Sequence, residues 1–220
     1  MSPPTKPSKL EWVLRFATAV MLLGHAWVCW NGEFPIRALL WDEEKMSGLV
    51  QSLFGMDWSA WVSSLEIDDR ITASIHAQGW VFLGFAVAAV VPLRRGGFRS
   101  LYLLASLNLA LLAWLKYLDA GVGIGQLIEH AGQVALPLVL WAVVRRGGWG
   151  KAATAIALAS ISCTFIGHGL FAINLPSDTA WLNHPRPGAF TEMTMLCLGL
   201  DSEAAANRLL VVAGVADLVV

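Results

Sequence analysis

Five stretches of the chain, at 10–30, 71–92, 98–118, 122–144 and 152–175, are apolar almost without interruption. About 20 such residues in a helix, rising about 1.5 Å each, match the hydrocarbon thickness of a bilayer. The runs are continuous and do not alternate, which excludes a transmembrane strand barrel. A sixth apolar stretch starts near Ala204 and reaches Val220. The chain is 56% hydrophobic and 14% charged, against about 25% charged in a soluble domain. It cannot cover a water-facing surface, so a soluble enzyme is excluded. The high apolar content excludes disorder as well. A net charge of −1 with scattered cations leaves no nucleic-acid footprint. Cys29, Cys163 and Cys197 are odd in number and lack metal-type spacing, so neither a disulfide framework nor a zinc motif is expected. The expected fold class is all-α: a polytopic transmembrane helix bundle of five full spans plus a partial sixth.

The charges give this bundle a direction. Lys6, Lys9 and Arg15 precede span 1 or open it; Arg94, Arg95 and Arg99 separate spans 2 and 3; Arg145, Arg146 and Lys151 separate spans 4 and 5. The alternate loops hold the acids, among them Asp42, Glu43, Glu44, Asp68 and Asp69. The positive-inside rule then predicts a multi-pass protein of the cell (inner) membrane with a cytoplasmic N-terminus, and with loops 31–70 and 176–203 outside. Span 1 is read as an uncleaved helix. Its apolar run is too long for a signal peptide, and Trp27, Trp30 and Asn31 stand where a small-residue cleavage site would lie. In the first outer loop, Met46, Leu49, Val50, Leu53 and Phe54 recur at helical spacing. They predict an amphipathic helix, either lying in the outer interface or packed on the bundle.

The sequence also repeats itself. LLGHAWVCW at 22–30 resembles FIGHGLFAI at 165–173, with His25 and His168 separated by 143 residues. SLFGMD at 52–57 resembles LCLGLD at 196–201, with Asp57 and Asp201 separated by 144. An apolar span follows each. The offset covers four spans, so both copies have the same orientation: a parallel repeat. Residues 1–146 then form a first four-helix transmembrane unit, and 147–220 the start of a second, apparently truncated one. The repeat predicts at least two further spans beyond Val220; a half-inserted terminal helix is the alternative.

Gly24 and His25, then Phe54, Gly55 and Met56, then span 2, with their counterparts Gly167, His168 and Gly169 and Leu198, Gly199 and Leu200, give a chain that resembles the DoxX-like family of bacterial membrane proteins. The likeness covers residues 10–146 and the partial copy after 152. It implies four-helix units and redox work at the membrane, with thiosulfate:quinone oxidoreduction and redox-enzyme maturation among the family's associations. It also implies partner subunits in the membrane or outside the cytoplasm. It carries no catalytic residue across.

Polar side chains inside a span are costly and mark candidate sites. His25, His76, His130 and His168 each lie roughly 8–9 Å below the outer end of their span, at about 1.5 Å per residue. On span 4, Gln126, Glu129, His130 and Gln133 fall at i, i+3, i+4 and i+7, which is one helix face. Shorter stripes are Thr72, His76 and Gly79 on span 2 and Thr18, Met21 and His25 on span 1; Lys116 and Tyr117 end span 3 in the same zone. The candidate pocket is therefore His25, His76, Gln126, Glu129, His130, Gln133 and His168. His25, His76 and His130 are expected to face one another beside Glu129, with His168 in a separate pocket of the second copy. Facing histidines suit haem, three imidazoles with a carboxylate suit a metal ion (with His25, His76 and His130 as ligands), and a His with an acid suits the protons of a quinone. Two other readings stay open: a small transporter whose polar stripe lines a path, and a structural or assembly protein whose histidines only bridge helices. The apolar inner halves of spans 2 and 4 favour a pocket open to one side. GVGIG at 121–125 is no dinucleotide motif, since no strand precedes it.

Overall fold

The protein is described here by a computed structural model covering residues 7–31, 34–91, 96–119, 123–174 and 188–219. Lys6, Arg94, Arg95, most of the second outer loop and the start of the GVGIG stretch lie outside the described residues. Among those described there is no strand. The helices are α1 (Lys9–Trp30), α2 (Pro35–Leu40), α3 (Glu43–Phe54), α4 (Trp58–Ser63), α5 (Leu65–Val90), α6 (Ser100–Asp119), α7 (Ile124–Glu129), α8 (Ala131–Arg146), α9 (Lys151–Ile173), α10 (Gly188–Leu198) and α11 (Glu203–Val219). Five stretches are long and apolar enough to cross a membrane: Lys9–Leu40, Leu65–Val90, Ser100–Asp119, Ile124–Arg146 and Lys151–Ile173. The architecture is an all-α bundle of membrane-spanning character.

Local chemistry sets the helix ends. The Ser8 hydroxyl accepts the Glu11 N–H at 3.1 Å to start α1, and Ser64 accepts the Ile67 N–H at 3.3 Å to start α5. Asp42 caps α3 through the Lys45 N–H at 3.1 Å. That helix begins at Glu43, ahead of the apolar stripe. Val50 is fully buried while Leu49, Leu53 and Phe54 are exposed. The helix therefore packs on the bundle through one side and presents apolar residues outward on another. The short helices α2 and α4, which the periodicity of so few residues does not reveal, complete a cap over this end. Arg37 ties the cap to α5 through Asp68 at 2.7 Å and through Thr72, Trp61 Nε1 donates to the Leu40 carbonyl at 3.1 Å, and Lys45 Nζ reaches the Asp119 carbonyl at 3.2 Å.

The bundle centres on the α1–α5 pair, where Leu22, Ala26, Ile75, Phe82 and Ala89 are buried together. Glycines let these helices close up. A Cβ on Gly79 would stand 2.5 Å from Trp30 Nε1. Where α9 crosses α11, a Cβ on Gly169 would stand 2.8 Å from the Gly214 carbonyl oxygen, and one on Gly214 2.7 Å from that of Gly169. Small residues at such crossings supply the close packing that hydrophobicity cannot drive inside lipid.

The opposite end holds a feature that the charge pattern hides. Arg15, read from sequence as a water-facing flank, is fully buried. Its Nε and Nη2 donate to Glu11 Oε1 at 3.0 and 2.9 Å; its Nη1 donates to the Ala89 carbonyl (2.9 Å), the Val91 carbonyl (3.0 Å) and the Tyr102 hydroxyl (2.9 Å). The last carbonyls of α5 have no helical partner of their own. A cation from α1 satisfies them and complements the negative end of the helix dipole.

The two sequence copies share local geometry. Helix α3 stops at Gly55 and α10 at Gly199, both left-handed with φ 64°. Each of α1 and α9 packs against the long helix that follows its outer segment, α5 and α11 respectively. In the second copy α11 starts at Glu203 with no separate counterpart of α4. Helix α9 also packs on α7 and α8, so the junction at 146–147 is a turn at left-handed Gly147 and not a gap in packing.

Candidate functional site

The fourth span is not one helix. Sequence periodicity predicts a single polar face through Gln126, Glu129, His130 and Gln133. Instead α7 ends at Glu129, and His130, at φ −85° and ψ 0°, joins it to α8. A broken helix in a bilayer survives only if neighbours satisfy the freed backbone. Here they do. The Gly132 N–H donates to Thr164 Oγ1 of α9 at 2.9 Å, and the Ser106 hydroxyl of α6 donates to the Val134 carbonyl at 2.6 Å. Pro137, inside α8, offers no N–H to the Gln133 carbonyl, which loosens the same segment. Gly167 lets α9 lie directly on the break: a Cβ there would stand 2.6 Å from the Glu129 nitrogen and 2.7 Å from the Gly125 oxygen.

Around this break the polar groups gather. His130 Nε2 lies 3.3 Å from Glu129 Oε1, with the two side chains 15% and 14% exposed. The geometry falls short of a hydrogen bond, and Nε2 is buried without a partner. Lys116, from the end of α6, stands within electrostatic reach of Glu129, His130 and His25. His168 of α9 acts on Glu129 and His130. His25 of α1 acts on His130, stands beside the Gln133 side chain, and stacks on Phe82 with ring centroids 5.2 Å apart. Gln133 and His168 are exposed, and the other four are half-buried. Away from the acidic loops, Leu14 of α1 and Ile156 and Ala157 of α9 pack against one apolar cluster of Val139 and Val143 of α8 and Ala153 of α9. That apolar contact closes the α1–α8–α9 junction on the side of the Arg15 clamp.

Two of the sequence-predicted residues stand elsewhere than expected. His76 does not join His25 and His130. The inward face of α5 is taken by Ile71, Ile75, Gly79 and Phe82. The residue after Ile75 is turned about 100° from it, so His76 is exposed on the outer face. His168 is not in a separate pocket, because the Gly167 contact sets α9 against α7 and brings its neighbour to the rim of the first site. Gln126 is half-buried on α7, on the far side of the break from Gln133. Lys116, named in sequence only as the end of its span, is central here.

The donor set does not fit a metal. His25, His76 and His130 do not meet, and among the described residues no three His, Cys, Asp or Glu side chains stand where they could hold an ion. An ammonium beside the two imidazoles opposes a cation further, and the His25 ring, stacked on Phe82, is not presented as a haem ligand. What the arrangement can do is donate and accept hydrogen bonds and move a proton, within reach of a membrane-dissolved molecule. Comparison with family models, with curated proteins and with solved structures gave no match.

Proposed function

We propose that the chain is a DoxX-like inner-membrane protein, N-terminus in the cytoplasm, that binds the ring of a membrane quinone at its outer-side polar site and handles the protons of its redox cycle. The observation that carries this reading is the unpartnered His130 Nε2 at the helix break, flanked by Glu129 and Lys116. A carbonyl oxygen placed there accepts hydrogen bonds from Lys116 Nζ and, in the Nε2–H tautomer, from His130. Glu129 supplies or collects the proton that the carbonyl gains or loses. Phe82, stacked on His25, steadies the wall that α1 supplies. The exposed Gln133 and His168 give a polar mouth between α1 and α9. Reduction of a quinone takes two electrons and two protons; the electrons come from a redox partner subunit, and the site carries the protons. The seal at Leu14, Val143 and Ile156, with the saturated Arg15 clamp below it, favours a one-sided pocket over a transport path. The reading includes the parallel repeat, supported by the matched glycine stops of α3 and α10 and by the α1–α5 and α9–α11 pairings.

The test is binding of a short-tailed ubiquinone analogue to the purified protein in nanodiscs. His130→Leu is expected to weaken binding by about threefold to tenfold, the scale of one lost neutral hydrogen bond of about 0.5–1.5 kcal/mol. Insertion and helix content should stay unchanged. Loss of folding in step with binding would favour the purely structural reading, in which the histidines only hold helices together. A haem absorption band in the purified protein would overturn the quinone assignment.

A further inference from the structure

A cavity of about 640 Å³ lies apart from the histidine site, between α5 and the cap formed by α2, α3 and α4. Its size falls within the roughly 300–1,000 Å³ of ligand sites. One wall is a single face of α5, with Ile67, Ile71 and Ile75; the other carries Leu40, Phe54 and Trp61. Polar groups gather towards the ends; between them only the Ser74 hydroxyl lines the cleft, and it donates to the Arg70 carbonyl at 2.8 Å. At the deep end is Gln78, whose amide nitrogen is taken by Asn108 Oδ1 at 2.8 Å. At the mouth are Ser64, Glu66 and Arg70. From Glu66 to Gln78 the helix advances about 18 Å, at about 1.5 Å per residue. Half of the roughly 30 Å hydrocarbon layer is about 15 Å, the depth of one leaflet. The cleft therefore has the length of one acyl chain and starts where a headgroup sits.

The mouth specifies the headgroup. Arg70 Nη2 and Glu66 Oε1 pair at 2.7 Å, but the two side chains are 78% and 74% exposed. A pair so exposed contributes at most about 1 kcal/mol, so a ligand carrying both charges can replace it. A phosphate fits Arg70 and a primary ammonium fits Glu66. An anionic lipid meets a surface already rich in carboxylates, with Asp68 and Asp69 adjacent in sequence. A quaternary ammonium has no N–H to give to Glu66. We propose that this cleft is a binding site for one phospholipid with a zwitterionic, primary-amine headgroup, its acyl chain laid along Ile67, Ile71 and Ile75.

The probes are phosphatidylethanolamine, phosphatidylcholine and phosphatidylglycerol, each with a photoactivatable diazirine near the end of one acyl chain. They are incorporated in turn into nanodiscs with the full chain, and the labelled residues are mapped by mass spectrometry. The phosphatidylethanolamine probe is expected to label the cleft walls around Trp61, Ile71 and Ile75 about fivefold above the other two, the worth of about 1 kcal/mol at a membrane surface. Glu66→Gln with Arg70→Gln, both exposed, is expected to erase that preference while cleft labelling persists. Ser74→Trp, which fills the cleft from an exposed position, should abolish cleft labelling and leave quinone binding unchanged. Labelling no stronger in the cleft than on the outward face of α9, at Leu158 and Ile161, would overturn the proposal. So would equal labelling by all three lipids, or a preference for phosphatidylglycerol.

Discussion

Replacing Arg15 with Met tests whether the buried clamp holds α1 to α5. The substitution keeps an unbranched stem of similar length and removes the guanidinium. Glu11, itself nearly buried, loses its cation, and the carbonyls of Ala89 and Val91 lose their donors. Removing one partner of a buried pair costs up to about 3–5 kcal/mol, here because the buried carboxylate loses both guanidinium hydrogen bonds. For a chain of this size each kcal/mol moves the midpoint by about 2–4 °C, so the loss amounts to roughly 10 °C. Glu11→Leu combined with Arg15→Met removes the buried carboxylate as well. Only the unpaired carbonyls then remain, at about 1–3 kcal/mol in all. The double variant should therefore be more stable than the single Arg15→Met. Both are measured by thermal or SDS-induced unfolding in detergent micelles, followed by circular dichroism. If Arg15→Met lies within about 1 kcal/mol of the parent, or if the double variant is the worse of the two, the clamp does not bear on stability.

Gly167→Ala places a Cβ against the Glu129 and Gly125 backbones, which cannot swing aside as a side chain can. A loss of about 1–3 kcal/mol is expected, accompanied by weaker binding of the quinone analogue; unchanged binding would detach α9 from the site. Topology is read by maleimide labelling of Ser47→Cys and Gly97→Cys in a chain stripped of Cys29, Cys163 and Cys197. Only Ser47→Cys should react from outside, and the reverse pattern would invert the orientation. The Lys45 side chain and N–H hold the Asp42 carboxyl below the usual carboxylate range. A depressed folded-state pKa contributes stability above the unfolded pKa that fades as pH falls through the folded one. The first turn of α3 should therefore hold at neutral pH and loosen only in acid, with faster amide exchange at Lys45; in Asp42→Ala that acid step should vanish.

The spans were legible because length and apolar character are one-dimensional properties, and a bilayer imposes them on any helix that crosses it. Position along a span was legible in the same way for His25 and His168, which both come within electrostatic reach of His130. Azimuth was not. His76 faces the wrong way, because one residue of offset from Ile75 turns it away from the bundle. His168 was assigned by repeat copy, whereas its position follows from a Gly167–Glu129 contact between helices that only packing reveals. The break at His130 has no proline at the break itself. It is met from other helices, by Thr164, which takes up the freed Gly132 N–H, and by Ser106, which ties down the Val134 carbonyl just beyond it. Arg15 looked like a charge flank because sequence gives its sign and not its partners, here the end of a helix more than seventy residues away.

The most direct test of the proposed site is histidine NMR. The protein is labelled with ¹⁵N-histidine in nanodiscs, each ring is assigned by substitution, and spectra are recorded with and without a short-tailed quinone. The ring signals of His130 and His25 are expected to move on addition, those of His168 to a smaller degree, and those of His76 not at all. Signals of His130 and His25 that stay fixed while the quinone partitions into the disc, or a shift of His76 as large as theirs, would contradict the account.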